Sequence, residues 1–337
     1  MKMKAIAKEN NDTIISSFSF DSQGKGYKLN PWEVARELKT PSLSWVHLNG
    51  NSETAKKWLE EKVSYLDHLI IDALFADETR PRIMEFEKGM LIILRGVNLN
   101  HNSEIEDMVS VRLWIDEHRV VSVQKRNFTP IFDLMEHIEA GKKIRNSGEF
   151  LYNLVYEILS SSTPIISELN SKLDTIEERV CENRIDSKLR EALTLIRKQS
   201  AVFKRYMLPQ KDVFSHLKTN EYHWIDEWAI RHFQENYDQI CHLIEELDEA
   251  KERSQIIHQE TSNSITDRLN KSMFKVSLVA SIFLPLGFIA SLFGMNVGGL
   301  PLENNSSGFY IVIYFMTVFF GGLFLFMRNF NSKSQKL

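Results

Sequence analysis

Charge is almost absent from one stretch of this 337-residue chain, although 26% of all residues are Asp, Glu, Lys or Arg. Between Val276 and Met327 the only side chain expected to be charged is Glu303. Two apolar runs, 276–293 and 309–327, flank a short polar insert. A membrane-spanning helix needs about 20 apolar residues, so each run suffices with its flanks. Glycine is missing from residues 149–286, where proline occurs only at Pro164, Pro209 and Pro285. Tight turns are therefore excluded from most of that region, and long helices are expected. Cysteine is nearly missing too: Cys181 and Cys241 stand alone, which excludes a disulfide framework. Residues 1–12 are polar and hold no apolar core of a signal peptide. A net charge of −4 gives no sign of a nucleic-acid partner.

Histidine and cysteine both stop before the apolar runs, at His258 and Cys241. Any path lined by 259–337 is thus an oxygen surface of Asn, Ser and backbone carbonyls, apart from Met thioethers. Such ligands suit a hard cation or one that keeps its water. Zinc stripped of water would demand His or Cys. The remaining histidines form no HExxH-type spacing, and no kinase-type phosphate loop is present, so enzyme chemistry is not expected. His242 and Glu246 stand one helical turn apart and read as an exposed pair.

What the chain does hold divides at the glycine boundary. Residues 1–148 mix strand and helix signals and predict an α+β cytoplasmic domain. Strands are expected at 44–48, 90–98, 108–115 and 119–123. Val109, Val111, Leu113 and Ile115 alternate as a half-buried strand requires. Helices are expected at 32–39, after Pro31, and at 52–63, with Ser52 as N-cap. Residues 149–275 predict a helical stalk of three helices, near 149–181, 186–217 and from 225 onward. The third runs without a break into the first apolar run. At 1.5 Å per residue it would reach roughly 100 Å, a length suited to a stalk entering a membrane. Its acidic stretch carries Asp248 and Glu249, a candidate cytoplasmic cation surface whose plainer account is a solvated face. Leu243, Leu247, Ala250, Ile257 and Ile265 form an apolar stripe there, expected to meet the two preceding helices or other copies of the chain.

Lys and Arg flank the apolar pair: Arg268, Lys271 and Lys275 before it, Arg328, Lys333 and Lys336 after it. The connecting loop, 294–308, has neither. The positive-inside bias then places both termini in the cytoplasm and the loop outside. The transmembrane helices are expected at 276–293 and 309–327, and 328–337 forms a basic tail.

Along the first span, steps of three and four residues pick out Asn270, Met273, Ser277, Ala280, Leu284, Gly287 and Ser291. This stripe is small or polar apart from Met273 and Leu284. It has two readings from spacing alone: a close helix–helix contact, or the lining of a pore on a symmetry axis. Leu284, beside Pro285, would supply a hydrophobic constriction in the second case.

The tripeptide Gly294-Met295-Asn296, after a proline-containing span on a long charged helix, resembles the signature of the CorA superfamily of divalent-cation transporters. Within it the loop Gly294 to Pro301 resembles the ZntB zinc branch, through Gly298-Gly299-Leu300-Pro301. So do Thr79-Arg80-Pro81-Arg82, Leu91-Ile92-Ile93-Leu94-Arg95, Arg197-Lys198-Gln199 and Arg205-Tyr206-Met207-Leu208-Pro209-Gln210. Met295 departs toward the magnesium branch, where the ZntB branch commonly has Val or Ile. The resemblance implies a funnel-shaped homopentamer in the inner membrane that transports divalent metal cations, with zinc favoured. The cation is cargo, and no cofactor is implied. Gly294, Met295 and Asn296 would form the external entrance, with Gly294 turning the chain, Met295 bracing the loop and Asn296 binding the hydrated ion. Asn270, Met273, Ser277, Leu284, Gly287 and Ser291 would line the pore. The alternatives are a CorA-type magnesium, cobalt or nickel channel gated by cytoplasmic magnesium, and a membrane-anchored scaffold.

Overall fold

The computed structural model describes residues 13–334, except Ser64, Glu78, Thr79, His101, Asn102, Asn183, Asn220, Glu221, Asn296, Val297, Leu300 and 302–305. The chain divides into two units, Met1–His258 and Gln259–Leu337.

The first unit is built on a mixed seven-stranded sheet. Its strands are β1 (Ile14–Phe20), β2 (Gly26–Lys28), β3 (Ser44–Asn49), β4 (Arg82–Phe86), β5 (Gly89–Gly96), β6 (Val109–Asp116) and β7 (Arg119–Gln124). Their order is β2-β1-β3-β7-β6-β5-β4. Only β3 and β7 pair in parallel, Trp45 opposite Val120, while the other neighbours run antiparallel. Three short helices follow their capping signals: α1 (Pro31–Glu37), α2 (Glu53–Lys62) and α3 (His68–Phe75). Pro31 opens α1, and Glu33 Oε2 accepts the Asn30 amide at 3.0 Å. Ser52 takes the N-cap place of α2, but its hydroxyl bonds to Thr54 Oγ1 at 2.7 Å instead of a helix amide. Then come α4 (Thr129–Glu139) and the long helices α5 (Ser147–Cys181), α6 (Ser187–Leu217) and α7 (Glu227–Phe293).

Each face of the sheet carries its own core. On one face Ile92, Leu94, Val111, Leu113 and Ile115 pack with Phe150, Phe203 and Phe214 of the long helices. On the other, Val46, Leu48, Leu91, Trp114 and Val121 pack with Leu59, Ile71 and Leu74. This corrects the half-buried expectation for β6. All eight of its residues are buried, because α3 covers the face that holds Ser110, Arg112, Trp114 and Asp116. An alternating strand stays half-exposed only while one face meets water.

The apolar stripe of α7 meets its own unit. Phe233, Ile240, Leu243, Leu247, Ala250 and Ile257 are buried in the same core as α5 and α6. Arg253 reaches Asp174 at 2.7 Å and Glu177 at 2.5 Å on α5, so the stalk segment is held by charge as well as burial.

His47 of β3 is wholly buried, with Nδ1 2.7 Å from Ser122 Oγ, which also accepts the Trp45 indole N–H at 2.8 Å. Burial pulls the His47 pKa down to about 4. Between that value and the ordinary 6.5, the unfolded chain binds a proton that the folded chain refuses. Stability therefore falls as pH falls through this window, by on the order of 3 kcal/mol in all. His47→Gln is expected to shallow the pH dependence of the unfolding free energy between pH 5 and 6, by up to about 1.4 kcal/mol per pH unit. Equal slopes in the two proteins would refute the buried neutral imidazole.

Candidate functional site: the exposed stripe of α7

The second unit holds the end of α7 and one further helix, α8 (Gly308–Ser334). Among the described residues α7 is the one helix long and apolar enough to cross a membrane. Only 6% of its apolar window is buried within the chain, so that window, unlike the earlier turns of α7, packs in no core of this chain. A shorter apolar helix follows at Gly308–Gly322.

Every residue of the predicted stripe lies on α7, and all are exposed in the single chain: Asn270, Met273, Ser277, Ala280, Leu284, Gly287 and Ser291. Met273 is 67% exposed and Leu284 72%. The opposite side of the helix does the packing. Ile289 and Phe293 face Ile311, Val312, Phe315, Met316 and Phe319 of α8 across a gap of about 310 Å³. Each lies two residues beyond a stripe member, Gly287 or Ser291, and so roughly 200° around the helix. Ile282 is the most buried residue of this stretch, at 9% exposure. The contact between α7 and α8 leaves the small and polar stripe uncovered, together with Val276, Phe283 and Phe288 on other faces.

The loop after α7 begins as a helix end. The Gly294 amide donates to Ala290 at 3.0 Å and to Ser291 at 3.2 Å, and Met295 donates to Leu292 at 3.4 Å. Among the described loop residues the glycine with positive φ is Gly299, at 95°. Gly294 is thus the first turn residue after the helix ends at Phe293, and its own φ is not positive. Met295 is 49% exposed. Asn296 lies outside the described residues.

The acidic candidates lie in the first unit. Both oxygens of Asp248 contact Lys204 Nζ, at 2.5 and 2.6 Å, and Glu249 is exposed beside it. His242 Nδ1 meets Glu246 Oε1 at 3.2 Å. Among the described residues no three His, Cys, Asp or Glu side chains come together to hold a metal ion.

Sequence reading did not foresee that the soluble segments quoted for the family resemblance meet in space. Arg80, Arg95, Arg205 and Tyr206 line one cavity. Gln210 accepts the Arg95 amide at 2.8 Å. Lys198 and Gln199 both clasp the buried Glu106, at 3.0 and 3.1 Å. The signal lay in arginines scattered over three segments, with no local spacing to join them.

A mixed sheet cased in helices and continued by a long apolar helix is the build of a membrane transporter of one known family. The family model described as "CorA-like Mg2+ transporter protein" matches residues 41–329. The chain belongs to that family, which is one of transporters and not of enzymes. It is 30% identical over 311 residues to the divalent cation transporter CmaX of Pseudomonas aeruginosa, covering 92% of this chain and 93% of CmaX. It is 30% identical over 295 residues to the zinc transport protein ZntB of Yersinia enterocolitica, covering 88% of each. The solved structure of full-length CmaX superposes with a TM-score of 0.82, covering 94% of this chain and 98% of that one at 30% identity. The CorA magnesium transporter of Methanocaldococcus jannaschii shares the fold, with a TM-score of 0.79 at 21% identity, over 93% and 97% of the two chains.

Proposed function

We propose that this protein carries divalent metal cations, zinc foremost, across the inner membrane through a homopentameric pore. The observation that carries the reading is the uncovered stripe of α7, opposite the face that meets α8. Residues 276–293 form the pore-lining span and 309–327 the outer span, with both termini cytoplasmic. In a ring of five chains, Asn270, Met273, Ser277, Leu284, Gly287 and Ser291 turn toward the axis. A path of hydroxyls, amides and backbone suits a cation that keeps its water shell. Gly294, Met295 and Asn296 form its outer mouth. The relatives named for zinc and the Gly298-Gly299-Leu300-Pro301 loop favour zinc.

A second reading, a magnesium channel closed by cytoplasmic magnesium, draws on Met295. It would need Asp248 to leave Lys204 and take up a metal with Glu249. Purified protein reconstituted into liposomes holding a zinc-sensitive dye separates the two. Zinc is expected to enter well above the rate in empty liposomes. Magnesium entry with no zinc entry would reverse the choice of ion. Entry of neither would sink transport itself and favour a membrane-anchored scaffold.

A further inference from the structure

The cavity that gathers Arg80, Arg95 and Arg205 is unlike a solvated basic face. It measures about 590 Å³, within the range of roughly 300–1,000 Å³ typical of small-molecule sites. Its described lining holds six cationic side chains, Arg80, Arg95, Arg112, Lys125, Arg126 and Arg205, against two acids, Asp77 and Asp107. Lys125 pairs with Asp77 and Arg126 with Asp107. Among the described lining residues cations outnumber acids by four. Arg80 and Arg205, both exposed, make no ion pair among the described residues.

Arg112 shows that the site is built into the fold. It is 1% exposed, in the middle of β6. Its Nη2 donates to the Ala76 and Asp77 carbonyls at 2.8 and 3.2 Å, while Nε and Nη1 are buried without a partner. Burial and the neighbouring Arg95 charge weigh against its protonated form, and the Asp77 carboxylate favours it. A buried guanidinium with two nitrogens unpartnered is costly to fold around and gains most from an anion that reaches it. The walls are also fixed. Arg95 lies 4.3 Å over the Tyr206 ring and donates to the Met108 carbonyl at 3.2 Å. The Glu106 clasp to Lys198 and Gln199 ties the β5–β6 connection to α6.

We propose that this cavity binds a small molecule carrying two linked phosphoryl groups. Guanidinium forks match phosphoryl oxygens in pairs, and a diphosphate spreads its negative charge over enough oxygens to meet several such forks at once. The inference stands on the soluble unit and does not rest on the transport reading.

The test is calorimetric titration of the full-length protein in detergent with inorganic pyrophosphate at fixed ionic strength. Saturable binding is expected at one site per chain. Arg80→Ala and Arg205→Ala, both at exposed positions, are each expected to weaken it about tenfold or more, the scale of a lost charged hydrogen bond. Lys57→Ala, outside the cavity, is expected to leave it unchanged. ADP is titrated alongside: tighter binding than pyrophosphate marks a nucleotide site, and weaker binding marks a site for the free diphosphate. No pyrophosphate binding, binding untouched by both arginine variants, or the same heats from chloride alone would each overturn the proposal.

Discussion

Liposomes bearing Asn296→Ala protein are expected to lose zinc entry at least about tenfold, while the variant purifies as the same oligomer as the parent. The argument is one of multiplicity. In a five-fold ring one substitution removes five side-chain amides from one level of the path. Each amide offers a hydrogen bond of about 1 kcal/mol to the water shell of an arriving cation. Losing several such bonds at once raises the entry barrier by more than the 1.4 kcal/mol that makes a factor of ten. Asn296 follows the last turn of α7, beyond the Gly294 and Met295 amides that close it. Asn296 follows the end of α7 in sequence, so assembly should survive. Parental flux in the variant would remove Asn296 from the entrance.

Leu284→Gly is expected to raise zinc leak several-fold where Phe283→Gly does not. Both side chains are large and exposed in the single chain, at 72% and 66%. They stand about 100° apart on the helix, so only Leu284 belongs to the stripe. A ring of leucines excludes water from a narrow path, and a ring of glycines admits it. Either change costs the helix up to about 1 kcal/mol in backbone propensity, beside a proline that already removes one donor. The pair therefore separates a pore effect from a helix effect. Equal leak in both variants would place the constriction elsewhere on α7 and leave Leu284 a lipid or helix contact.

The helices were the most legible part of the chain. The lack of glycine between residues 149 and 286 announced α5, α6 and α7, and Asp186 and Phe293 fell at their ends. The central strands β3, β5, β6 and β7 were visible as β-branched and apolar runs. The strand β1 was not, because Ser16, Ser17 and Ser19 break its apolar pattern, though two of them are buried. The helix α3 is an eight-residue apolar run, too short for periodicity to tell helix from strand. The burial of both faces of β6 followed from that missed helix. At the site, the stripe could be read because a helix imposes its own period on one face. Which face meets α8 depends on Ile311 and Phe315, in another segment. The basic cavity was illegible for the same reason, since only the sheet brings Arg80, Arg95 and Arg112 beside Arg205.

The parallel pairing of β3 with β7 has a consequence for how the protein is made. Ser44 must wait for Arg119 and Asn49 for Gln124 before the centre of the sheet can close. All seven strands nevertheless precede α5, and the helices that complete their core end that work by Ile257. The ribosome thus delivers a whole folding unit before it delivers the long apolar stretch. Domains fold as they emerge, so the water-soluble part can be finished while the segment bound for lipid is still being synthesised. A chain ordered the other way would have to hold its bare sheet edges beside a membrane while it waited for the rest.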